Sequence, residues 1–493
     1  MIIKVAGLSP KLNYNIFFIA ALALLCALAT MFPLMGILIS ICEIVYLLYV
    51  FFVRRKIEDY LFSFLTITAT CLDTQLFVYG ESEKILYSFV NLPIIHGYHL
   101  LFLTALPLLE VFSLKNWRNF RKRLTKNKYL TLAFVFNTVI YCFGLITILP
   151  SLLLDENEIL KYIGIYFVFY RKQFFLYSCV FFLVIDFSYC FCMIDSARES
   201  FAKYLYNLLF GMGIAIICSF LFGWSSQYQY GTVLLLSQCS FFVIALLLMP
   251  YHNVTKNPAC IFVALLSCVV MLRRASALAG KWWLFVFLTL TIMVILLMSQ
   301  KNVKFHIKLL GWMLVTGGTL FLIVSAGVNR GYGHSEYKFQ QALRMISVFR
   351  EDWYKQLPDS PKARIEELIN ITIEYLNKPF YLLLGKGYGG TISHHWGMVD
   401  WGVIGSTFSA EEISIGYYTF VHETINCLYL SSGLFGLTYF IYETLYFMKN
   451  VKKDVSVLIG YIWFLFFFAS SYISLWLGIA CLVYGKTIRN KAE

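Results

Sequence analysis

Four arginines, Arg330, Arg344, Arg350 and Arg364, precede the adjacent pair His394 and His395, and Glu411, Glu412, His422 and Glu423 follow. Guanidinium groups grip phosphate oxygens in a two-pronged geometry, and imidazole moves protons near neutral pH. Together they suit anion binding and proton transfer. All of them fall in or just beyond 329–418, the one long polar interruption in a chain otherwise made of apolar runs. That segment is expected to hold the chemistry, and the rest of the chain to be its scaffold.

The scaffold is legible from composition. Of 493 residues, 60% are hydrophobic and 14% charged, with mean hydropathy +0.72. The expected fold class is an all-α polytopic membrane protein. Runs such as 129–149, 173–194, 231–250 and 281–299 match the roughly 20 residues that cross about 30 Å of hydrocarbon. Because lipid offers no hydrogen bonds to the backbone, runs without dyad polar alternation mean helices rather than a barrel.

About fourteen spans are expected: 14–32, 34–53, 58–79, 93–113, 129–149, 173–194, 204–223, 231–250, 258–272, 281–299, 306–328, 419–447, 455–469 and 471–485. Residues 1–493 read as a single membrane domain, with 329–418 as one large loop containing amphipathic helices. The first run, behind Lys4 and Lys11, reads as an uncleaved anchor.

With the amino terminus inside, one side receives Arg54, Arg55 and Lys56, the cluster from Lys115 to Lys128, and Lys449, Lys452 and Lys453. The other receives Glu81, Glu83, Asp155, Glu156 and Glu158. This asymmetry puts 329–418 outside. Arg273, Arg274 and Lys281 break the pattern by facing outward, either from a miscounted helix or because Arg273 and Arg274 bind an anion there. The net charge of +13 is spread over short loops, a distribution that marks orientation and excludes a nucleic-acid groove. None of the 13 cysteines falls in the long insert, so disulfides are not expected to hold it together.

Within the insert, Asp359, Ser360 and Pro361 open a helix. Ile365, Leu368, Ile369, Thr372, Ile373 and Leu376 recur at helical spacing until Asn377, Lys378 and Pro379 stop the run. This predicts an amphipathic helix of about 17 residues, suited to lie on the bilayer surface with Arg364 at the edge of its apolar stripe. Gly385, Gly387, Gly389 and Gly390 lack the strand and the Lys-Ser or Lys-Thr of a phosphate loop and predict a tight turn beside the bundle. Adjacent histidines point apart and no HExxH accompanies them, which argues against zinc. Glu43, Asp73 and Asp186 lie in predicted spans, where a carboxyl group is costly and invites either a functional role or helix-to-helix bonding.

Three separated pieces then resemble the O-antigen polymerase and O-antigen ligase superfamily of bacterial membrane glycosyltransferases, of GT-C type. LRRASALAG at 272–280 resembles its Ser/Thr-Arg-small motif, with Arg274 in the arginine slot. The segment ARIEELINITIEYLNKPFYLLLGKGYGG at 363–390 resembles its arginine helix with a following proline and Gly-x-Gly turn. HETINCLYLSSGLFG at 422–436 resembles its His-Asn motif with two later glycines, here Gly433 and Gly436. The likeness covers roughly 258–445. Glu423 stands where the family has Asn, which bears on how the acceptor is held, and Arg273 replaces the residue before the motif arginine.

The resemblance implies a metal-independent, inverting transfer from an undecaprenyl-diphosphate-linked glycan, without cofactor, at the periplasmic face of the inner membrane. Arg274 and Arg364, with Arg273 beside them, would bind the diphosphate. His422 would take the acceptor proton, and Glu423 would touch the acceptor. The implied partners are the lipid-linked donor, a glycan acceptor, membrane lipids and a chain-length regulator protein, with no nucleic acid. Polymerisation of repeat units is the first reading. Ligation to a lipid A core is the second, and a glycolipid flippase or transporter is a third of a different class.

Overall fold

The computed structural model describes residues 16–29, 32–70, 89, 92, 98–153, 177–221, 353–357, 359–388, 390–401, 408, 412–413, 416–418, 421, 424–451 and 472–487. Among them the chain is mostly helical, and its only strand-like pairing is a single antiparallel bridge between Ile392 and Tyr418. Among the described residues three helical stretches, Leu34–Arg54, Lys128–Ile146 and Ile425–Asn450, are long and apolar enough to cross a membrane. Two bent helix pairs raise that number to five if each is one crossing.

In chain order, α1 is Ile16–Ala29 and α2 is Pro33–Tyr49, with proline at its first turn. A wider turn over Val50–Arg54 extends α2 until Arg55, at φ 51°, ends it in the left-handed region. Next come α3, Ile57–Thr70; α4, Tyr98–Ala105; α5, Leu108–Val111; and α6, Leu114–Lys126. Helix α7 is Lys128–Leu153, α8 is Tyr177–Met193 and α9 is Asp195–Leu221. The insert contributes α10, Trp353–Gln356; α11, Asp359–Asn377; and α12, Pro379–Leu384. Helices α13, Thr424–Val451, and α14, Tyr472–Thr487, follow.

The expected count of fourteen spans is not reached among the described residues. The predicted spans 231–250, 258–272, 281–299, 306–328 and 455–469 lie outside them. Where the two can be compared, the expected run 93–113 is corrected. It is broken into α4 and α5 around Pro107, and the chain then turns by 89° into α6. Proline removes an amide donor at the break. Helix α6 is a surface helix in character: Phe120 and Leu124 are buried, whereas Arg118, Arg121 and Lys122 are exposed. Such a basic amphipathic helix favours the membrane–water boundary over the hydrocarbon.

Aromatic side chains join the bundle. Phe62 of α3 stacks on Tyr204 of α9 at 5.2 Å, and Phe201 of α9 meets Tyr484 of α14 at 5.2 Å. Helices α7 and α13 run antiparallel: Tyr129 lies 4.1 Å from Tyr446, and Phe136 stacks on Tyr439 at 3.8 Å. At the far end of α7, Gly144 meets the insert. A Cβ there would lie 2.9 Å from the Tyr388 amide nitrogen, so the absent side chain is what lets the two backbones touch.

Candidate functional site

The predicted amphipathic helix exists as α11 with 19 residues, Asp359 and Ser360 already inside it. It organises the insert through two faces. The first carries Glu366, Asn370 and Glu374, spaced four residues apart so that they stack on one side of the helix. Glu366, fully buried, accepts hydrogen bonds from the Tyr354 hydroxyl at 2.5 Å, the Met398 amide at 2.7 Å, the Val399 amide at 3.1 Å and the Trp401 indole at 3.3 Å. Asn370 accepts from the amides of His395 and Trp396 at 2.7 and 2.8 Å and donates to the Trp396 carbonyl at 2.8 Å. Glu374 accepts from the Ser393 amide at 2.7 Å, pairs with Lys386 and lies 3.1 Å from His395 Nε2.

These three side chains thread loop 391–401 along the helix. Burial, and then the bond to Glu366, push the Tyr354 hydroxyl above its ordinary pKa, which keeps it a donor. The two histidines diverge as expected. His394 packs on Trp401 at 4.7 Å with its Nε2 3.9 Å from Glu366, whereas His395 turns to Glu374. Among the described residues no group of three or more His, Cys, Asp or Glu is arranged to hold a metal ion.

The second face of α11 packs on α13. Ala363, Ile371 and Tyr375 share a core with Val421, Tyr429 and Leu430, and Trp401, Phe408 and Tyr418 close it from the loop side. Asn426 Nδ2 donates both to the Arg364 carbonyl, at 2.8 Å, and to the buried Glu367 carboxylate, at 3.0 Å. The arginine helix and the start of α13, 62 residues apart in sequence, are therefore stitched together by one amide.

Helix α13 is itself broken. Gly433 adopts φ 58° and ψ −145°, which interrupts the helical hydrogen-bond ladder and frees carbonyl groups. The insert supplies the missing donors. The Tyr375 hydroxyl reaches the Leu430 carbonyl at 2.6 Å and that of Tyr429 at 3.1 Å. Lys386 N donates to Leu430 O and Gly387 N to Ser431 O, both at 2.9 Å. Irregular backbone next to a membrane-length helix persists only where such partners exist. The glycine turn is thus the tight turn beside the bundle that the sequence suggests. A Cβ on Gly385, at φ 69°, would sit 2.2 Å from Ser432 N.

Of the site residues expected from sequence, Arg364 is described, half-buried on α11. Arg273, Arg274, His422, Glu423, Glu411, Arg330, Arg344 and Arg350 lie outside the described residues, as does Asp73. Glu412 is buried. Glu43 is buried with Cys26 Sγ 3.9 Å from its Oε1, beside a cavity of about 290 Å³ walled by Phe18, Leu22, Leu38, Ile39 and Ile67. Asp186 is fully buried on α8, and neither of its oxygens has a hydrogen-bond partner among the described residues.

Sequence reasoning misses Glu366, Asn370 and Glu374. Their four-residue spacing is a signal, but a polar stripe on an amphipathic helix normally faces water. It also misses Asn426, four positions past His422. No family model matches the chain, and no curated protein and no solved structure matches it.

Proposed function

We propose that the protein is a polymerase of surface polysaccharide, joining undecaprenyl-diphosphate-linked oligosaccharide repeat units on the outer side of a bacterial inner membrane. The observation that carries this reading is the junction of α11 with α13: Asn426 holds the Arg364 backbone, and the 385–387 turn fills the break at Gly433. Two of the three sequence pieces that resemble O-antigen polymerases and ligases meet there. The third, with Arg273 and Arg274, enters from the resemblance alone.

In this reaction a hydroxyl oxygen of the acceptor glycan attacks the anomeric carbon of the donor. The new glycosidic C–O bond forms as the bond from that carbon to the diphosphate oxygen breaks. The bonding pair leaves with the diphosphate, and the hydroxyl proton passes to His422. Arg274 and Arg364 neutralise the charge that grows on the leaving group, and Arg273 adds to that field. Fixed positive groups in a site shielded from water act without reorganising as the charge develops. A diphosphate is already a competent leaving group, so the step runs without a metal. Glu423 contacts the acceptor.

The test is transfer of lipid-linked oligosaccharide by the purified full-length protein in nanodiscs, with and without chelator. Arg364→Ala and His422→Ala are each expected to lower turnover by about 10²–10³, with chelator having no effect. Full activity in both variants overturns the assignment, and loss of activity with chelator overturns the metal-free step. Growth of long chains supports polymerisation. Transfer to a lipid A core instead identifies a ligase, and movement of lipid across the bilayer without bond formation identifies a transporter.

A further inference from the structure

Helix α11 is amphipathic in the opposite sense from a water-facing helix. Four of its polar side chains point inward: Glu366, Glu367 and Asn370 are fully buried, and Glu374 is bound by Lys386 and the loop. Its outward face is the apolar stripe Ile365, Leu368, Ile369, Ile373 and Leu376, half-buried or exposed along its whole length, while Thr372 between them reaches the Tyr429 hydroxyl of α13 at 3.4 Å. Leu376 is 66% exposed, and beyond the kink at Lys378 the short helix α12 exposes Phe380 and Leu383 to 57% and 58%. Water disfavours a continuous apolar face of this kind, whereas hydrocarbon does not.

This face continues the exposed apolar surface of a helix long and apolar enough to cross a membrane. On the membrane-length helix α7, Val135, Val139, Cys142 and Ile146 form an exposed stripe along one side. Next to it, the Phe143 ring contacts Phe380 of α12 at 5.5 Å, so the two apolar surfaces meet at that pair. Between Leu376 and Phe380 stands Lys378, itself exposed, with its ammonium 5.8 Å from the Tyr381 ring. A long cationic side chain flanked by apolar groups places its stem in hydrocarbon and its charge at the level of the headgroups.

We propose that the α11–α12 elbow is a lipid-docking surface. Leu376, Phe380 and Leu383 enter the acyl region of the adjoining leaflet, and Lys378 meets the phosphates of its headgroups. The insert is therefore a wedge seated in the leaflet, with Arg364 on the helix rim between the lipid-facing stripe and the face that packs on α13. This inference stands on burial and on the membrane-length helices, and it is independent of the glycosyl-transfer reading.

The experiment is photo-crosslinking of the full-length protein in nanodiscs of phosphatidylethanolamine and phosphatidylglycerol. p-Benzoylphenylalanine is installed singly at position 376, 380 or 383, with Ile146 as the lipid-facing reference and the exposed Asp400 of the insert loop as the aqueous one. Each labelled protein is first checked for elution as a folded species. Phospholipid adducts, read by intact-mass spectrometry, are expected at all three elbow positions at the level of Ile146, with none at Asp400. Yields at the elbow no higher than at Asp400 overturn the proposal. Crosslinks to a second copy of the chain overturn it as well, because they identify a protein partner on the same face.

Discussion

The insert and the helical bundle both bury carboxylates, and they satisfy them in different ways. In the insert, Glu366 collects a phenol, an indole and two backbone amides, and Glu374 collects an amide, a lysine and an imidazole. In the bundle, Glu443 of α13 and Lys486 of α14 are fully buried as an ion pair, with Lys486 also donating to the Tyr439 hydroxyl at 2.9 Å, while Glu443 Oε2 has no hydrogen-bond partner among the described residues. Asp186 has none for either oxygen. The difference follows from the backbone. A loop such as 393–401 has amides to spare, whereas a membrane helix has already committed its own to the ladder, leaving side chains as the available donors.

If that is the rule, removing the cation of the buried pair in the bundle is the most damaging change. Lys486→Met leaves the Glu443 charge buried without its cation and is expected to destabilise by about 3–5 kcal/mol. Thermal unfolding in nanodiscs reads it, and adding Glu443→Leu should recover most of the loss, since an apolar pair of similar volume is tolerated. Failure of the second change to rescue would show that the pair does more than balance charge.

A smaller loss is expected in the insert, where donors are redundant. Tyr354→Phe removes one of several bonds to Glu366 and is expected to cost about 1–3 kcal/mol, localised as faster hydrogen exchange over 393–401. The pH dependence has a definite sign. Tyr354 titrates higher in the folded protein than its ordinary value, so its bond is fully held below the unfolded pKa of about 10. The contribution is lost as pH rises through the higher folded value, and the variant lacks that alkaline step. The smallest effect belongs to Asp186→Leu. With neither carboxylate oxygen hydrogen-bonded, replacement by an apolar side chain is expected to change stability by less than about 1 kcal/mol or to raise it. A large loss would reveal a bound partner and break the comparison.

Several elements are legible in the amino-acid sequence alone. Helix α11 is marked by its Asp-Ser-Pro start and its Asn-Lys-Pro stop, and the spans at α2, α7 and α13 by unbroken apolar length. Local signals suffice there because capping, proline and bilayer thickness act over one element at a time. The break at Pro107 and the bend between α5 and α6 are less accessible, since apolar length alone runs across Pro107 and the basic helix beyond Val111 reads as a loop.

The sequence by itself determined that this chain carries helices long and apolar enough to cross a membrane, where its polar insert falls along the chain, and where its guanidinium and imidazole groups stand in it. Composition and spacing record such properties directly. Only the tertiary structure decided which way α11 faces: its carboxylates turn inward to the loop and its leucines outward. It also decided that the glycine turn at 385–387 supplies the donors missing at Gly433. Both are settled by matching donors and acceptors from segments distant along the chain, and a one-dimensional pattern carries no information about which distant group will be opposite.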